Sequence, residues 1–190
     1  MKTLFFFLLM TIAITSSAQY SDSEGIYGGS IRLGAGYVHD FPGLSGSAVQ
    51  VAYSFPLNDW LQGGIGAKHI STSGFPRTNT VREYTKANTI DFELLLVPMH
   101  TEKAALRMGL GYTFSFYKIR RSYPVYTTHD NEATTVTWPV VDTKGNVHGA
   151  RLIGEYEYFF GSNISAGARV ELAKAYGYVV IGGPFVAIKL

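Results

Sequence analysis

The stretch LRMGLGYTFSF, residues 106–116, decides how the chain is read. Its even positions are Leu106, Met108, Leu110, Tyr112, Phe114 and Phe116, and its odd positions are Arg107, Gly109, Gly111, Thr113 and Ser115. Side chains of a strand point alternately to opposite faces, so this period of two builds a strand with one apolar and one polar side. An ordinary strand has roughly 5–6 residues. This one reaches the roughly 9–11 that a tilted strand needs to cross a bilayer.

The same alternation recurs along the chain. It marks Gly29 to Val38, Ser47 to Phe55, Trp60 to His69, Thr89 to Val97, His148 to Phe160, Asn163 to Ala173 and Tyr178 to Leu190. With the opening stretch, that predicts eight antiparallel strands. Short connections at Pro56–Asp59, Pro98–Lys103 and Gly161–Ser162 alternate with longer ones at His39–Gly46, after Lys68, and from Ile119 to Val147. Short turns at one end and long loops at the other are the arrangement of a transmembrane β-barrel. Loops of such length are uncommon in a compact soluble domain.

The polar faces carry the small residues. Gly34, Gly36, Gly64, Gly66, Gly109, Gly111 and Gly167 share a side with the charges. The interior of an eight-stranded barrel is just wide enough for side chains, so glycines there leave room for a few long ones. A strand surface open to water has no such need. The polar side is therefore predicted to be the inside, and the apolar side to face lipid. A charge network of Glu93, Arg107, Arg151, Glu155, Arg169 and Glu171, extended by Glu157, is expected to fill the lumen. A turn centred on His100 would set Glu93 opposite Arg107, and one centred on Ser162 would set Glu155 opposite Arg169. Aromatics gather near both strand ends: Tyr27, Phe55, Trp60 and Phe160 at one, and Tyr37, Phe116, Tyr176 and Tyr178 at the other. They match the two interfacial girdles of such barrels.

This pattern resembles the small outer-membrane β-barrels of Gram-negative bacteria, such as the OmpA transmembrane domain, OmpX and OmpW. The resemblance covers residues 28–190 and rests on pattern rather than on a diagnostic motif. Such barrels commonly end on an aromatic residue, whereas this chain ends "GPFVAIKL" on Leu190. The resemblance implies short turns in the periplasm and long loops outside the cell.

The rest of the composition fits. The N-terminus, MKTLFFFLLMTIAITSSAQY, has a basic start, an apolar run and a small-residue Ser16-Ser17-Ala18 site. Residues 1–18 thus read as a signal peptide, leaving 19–190 as one barrel domain. Charged residues are 16% of the 190, the net charge is +2, and there is no cysteine. That excludes a nucleic-acid footprint and thiol or disulfide chemistry. The five histidines show no metal-ligand spacing, and no cofactor or metal is expected.

Two features invite chemistry. His69-x-Ser71, with Glu83 further on, resembles the Ser-His-Glu arrangement of PagL-type lipid A deacylases, which are also eight-stranded outer-membrane barrels. That resemblance implies Ser71 as nucleophile, His69 as base and Glu83 as the group orienting it. Here Thr72 follows the serine, where that family usually has Asn. The second feature is the connection from Ile119 to Val147, rich in Tyr and Thr and containing Trp138, whose β-formers Thr134 to Thr137 suit extended strands and a surface ligand. The expectation is an all-β, up-and-down, eight-stranded transmembrane barrel in the outer membrane, porin-like in architecture but too narrow for a large pore. It is expected to be non-enzymatic, with outer-membrane lipid around it and a surface ligand at its extracellular loops. The alternatives are the deacylase and a soluble secreted lipid-binding barrel.

Overall fold

A computed structural model describes residues 28–41, 43–75, 81–127 and 135–190. The N-terminal segment 1–18 read as a signal peptide, Tyr27 of the aromatic girdle and Thr134 of the long connection lie outside the described residues.

Eight strands close into an antiparallel barrel: β1 (Ser30–Asp40), β2 (Leu44–Asn58), β3 (Leu61–Gly74), β4 (Glu83–His100), β5 (Ala104–Ser122), β8 (Val140–Phe159), β9 (Ile164–Lys174) and β10 (Tyr178–Lys189). Each pairs with its predecessor, and β1 pairs with β10 from Ser30↔Lys189 to Asp40↔Val179, so no edge is left open. Two short strands, β6 (Val125–Thr127) and β7 (Thr135–Thr137), form a separate hairpin beyond β5 and β8. Strands β5 and β8 are the longest, at 19 and 20 residues, and stay in register from Ala104↔Tyr158 to Ser122↔Val140.

The polarity is the reverse of a soluble protein's. Leu110 is 65% exposed and Val170 57%, while Glu157 and Glu171 are 2% and 1% exposed. Leu106 to Phe116 spans about 33 Å along its strand at roughly 3.3 Å per residue. At a tilt of about 40° that is roughly 25 Å along the barrel axis, the height of a lipid-facing belt. A soluble lipid-binding barrel would need its apolar side within, and here that side is outside.

The connections are shorter than the sequence suggests. The strands next to the long loops continue past the apolar belt: β3 runs to Gly74 and β4 begins at Glu83, in place of the expected ends at His69 and Thr89. The first connection is a tight turn in which the Gly43 amide donates to the Asp40 carbonyl at 2.6 Å. Gly43 has φ +110°, a conformation that glycine adopts without strain.

Candidate functional site

The most heavily built part of the molecule is its interior. Arg32 on β1, Lys68 on β3, Arg107 on β5, Arg151 on β8 and Arg169 on β9 meet Asp91 and Glu93 on β4, Glu155 and Glu157 on β8, and Glu171 on β9. Five cations face five carboxylates, so the cluster is neutral. Arg151 reaches Asp91 and Glu93 at 3.1 Å and Glu171 at 3.2 Å. Arg169 joins Glu171 at 2.6 Å, Glu155 at 3.1 Å, and Glu93. Glu155 also accepts from Arg32 and Arg107, each at 2.9 Å. Lys68 bonds Glu171, and Arg107 bonds Glu157, which in turn accepts from Ser165. Ions buried like this persist only when paired and hydrogen-bonded.

Glycines make the space. A β-carbon on Gly64 would lie 2.6 Å from Glu93 Cγ, and one on Gly111 would lie 2.7 Å from Arg151 Cγ. The Phe185 ring covers the turn-side flank, with the Arg32 guanidinium 5.7 Å from its centroid.

All six network residues expected from sequence lie inside, but one register differs. Glu155 stands opposite Arg169, whereas Glu93 stands opposite Gly111 and Arg107 opposite Glu155. The cause is at Pro98. A proline cannot donate to the ladder, which suggests that β4 ends at Val97. In fact a bulge between Leu96 and Met99 accommodates it, the strand continues to His100, and the turn shifts to residues 101–103. Arg32, Lys68 and Asp91 complete the network and were detectable only as members of polar faces.

Towards the loop end the interior changes. Val38, Ala48, Ile70, Ala87, Val179 and Ile181 form an apolar layer, with Tyr117 and Tyr176 packed on it. Beyond it lies a second polar cluster that the sequence did not disclose. Asp40 accepts from Thr85 at 3.0 Å, Arg121 at 3.1 Å and Thr72 at 3.2 Å, and Glu83 accepts from the Ser122 hydroxyl at 2.6 Å. Burial pushes the Tyr176 phenol well above its usual range, and the neighbouring Asp40 charge adds to this. Two hollows among the described residues, one beside Arg169 and Glu171 and one beside Gln62 and Arg107, are about 10 Å³ each, room for a single water at most.

The proposed Ser71–His69–Glu83 arrangement is not assembled. His69 and Ser71 lie on the outer wall, but Glu83 points into the barrel, is 0% exposed and is bonded to Ser122. Strand parity explains this: odd positions of β3 face outward and odd positions of β4 face inward. The His69 Nδ1 is instead 2.7 Å from Asn88 Oδ1.

No protein-family model matches the chain, and no curated protein matches its sequence. Among solved structures it is similar to Neisserial surface protein A, at 10% identity over 88% of this chain and 100% of that one, with a TM-score of 0.50. It is also similar to the outer membrane protein OprG of Pseudomonas aeruginosa, at 11% identity over 88% and 96%, again with a TM-score of 0.50. Strand number, closure, inverted polarity and these likenesses agree: the chain has the fold of the small eight-stranded outer-membrane β-barrels.

Proposed function

We propose that the chain is exported on its N-terminal segment and spans the outer membrane as a sealed, non-catalytic barrel. It serves there as a structural element and meets a surface ligand through its extracellular loops, chiefly the β6–β7 hairpin. One observation carries this reading: an exposed apolar belt surrounds a neutral, side-chain-filled interior. Such a belt is stable only against lipid, and such an interior leaves no reactive cleft. The hairpin's open strand edges, the exposed Tyr126 on β6 and the exposed Tyr123 just before it suit a partner outside the cell.

Fractionation with a gel comparing boiled and unboiled samples tests the membrane reading. The folded chain is expected in the outer-membrane fraction, migrating differently once boiled. Recovery in the aqueous phase without detergent would sink it. The absence of catalysis is tested separately: Ser71→Ala is expected to leave the acylation of outer-membrane lipid unchanged.

A further inference from the structure

On the outer wall, Lys86 of β4 pairs with Lys118 of β5, and Lys118 with Lys144 of β8. All three occupy outward positions, and Lys86 and Lys144 are exposed. Neighbouring strands are about 4.8 Å apart, so the backbone anchors of the three lysines span roughly 10 Å, and the Lys118 ammonium lies 5.7 Å from the Tyr84 ring centroid. Like charges directly opposite on a sheet repel. Among the described residues none of the three has a carboxylate in ion-pair contact. The nearby Asp142 is held by Arg120 through hydrogen bonds of 2.9 and 2.8 Å; that contact first, and the charges of Lys118 and Lys144 after it, keep its carboxyl below the usual range. With Arg120 the patch sets four cations against that one carboxylate, and the excess positive charge calls for an anion from outside the chain.

The position says which anion. One outward step below the lysines stand Asn88, Phe116 and Asn146, and one step further Ile90, Phe114 and His148. Phe116 closes the apolar belt. Lys118 follows it by two residues, about 5 Å higher along the axis. The same rung continues through Ser71 and Ser47, whose hydroxyls add donors. This is the depth of lipid headgroups, and the donors are those that hold phosphate. We propose that Lys86, Lys118 and Lys144 bind the phosphate of a phosphorylated lipid in the loop-side leaflet, its acyl chains lying against Phe114 and Phe116.

The inference rests on the membrane-spanning reading, and the test separates the two. The full chain is reconstituted into phosphatidylcholine vesicles with and without phosphatidic acid. Flotation is scored first, then the phosphatidic acid retained on the purified barrel. The wild-type chain is expected to retain at least about tenfold more than the Lys86→Gln/Lys118→Gln/Lys144→Gln variant, since each surface lysine adds to anionic-lipid attraction. The corresponding triple Lys→Arg variant is expected to retain it like wild type. Failure of the wild-type chain to float with any vesicle overturns the membrane reading and this inference together. Flotation of both chains with equal retention overturns this inference alone, as does displacement of the lipid by an equal concentration of inorganic phosphate.

Discussion

Glu155 shows how tightly single residues are bound into this interior. It accepts from Arg32, Arg107 and Arg169, which come from three different strands. Glu155→Gln keeps the shape but leaves those guanidiniums short of one charge. Breaking a buried pair from one side typically costs about 3–5 kcal/mol. We expect a loss of that order in denaturant unfolding in detergent. Adding Arg107→Gln should recover part of it, because the two residues share one network; strictly additive losses would show that they act independently. Gly111→Ala probes the space around Arg151. The new carbon would sit 2.7 Å from Arg151 Cγ and 3.0 Å from the Phe92 carbonyl oxygen. One of those neighbours is backbone, so a cost of about 1–3 kcal/mol is expected in the same assay. At this scale the sequence was legible by parity: every second residue named its side. Parity does not reveal a bulge, so Pro98 concealed the β4–β5 register that sets Glu93 against Gly111 instead of Arg107.

The strands were legible wherever one face was apolar. The central part of each barrel strand is visible as alternation, because lipid and lumen demand different side chains. Past the belt the outward face is polar too, as at Lys86, Asn88, Lys118 and Arg120, while the inward face mixes apolar residues such as Ala87 with polar ones such as Thr85, and the apolar-out alternation fades from the sequence although the ladder continues. This is why β2, β3, β4, β5 and β8 extend beyond their sequence limits, and why the Asp40–Glu83–Arg121 cluster was not foreseen. The β6–β7 hairpin sits beyond Ser122↔Val140, the last rung of the longest ladder. Nothing in the barrel ladder depends on it. Replacing residues 123–139 by a short turn is therefore expected to leave the boiled-versus-unboiled gel shift and the unfolding midpoint unchanged. Loss of the shift would show that the hairpin helps to hold the barrel.

For the whole molecule, the interior reads as two closures in series. The charge network fills the turn-side and middle lumen, and the apolar layer of Val38, Ile70, Val179 and Ile181 lies between it and the mouth. They exclude ions differently. The network occupies the volume with paired side chains, whereas a narrow apolar ring sheds water. The folded chain in a planar bilayer is accordingly expected to give no stable conductance. Arg169→Ser with Glu171→Ser removes one cation and one anion and keeps the charge balanced, but it leaves the apolar layer shut. Ile70→Ala with Ile181→Ala thins that layer but leaves the network in place. Neither pair alone should conduct, while the four substitutions together should give openings, with the gel shift confirming that each variant is folded. If the charge pair alone opens the barrel, the apolar layer is no barrier, and the seal belongs to the ion network by itself.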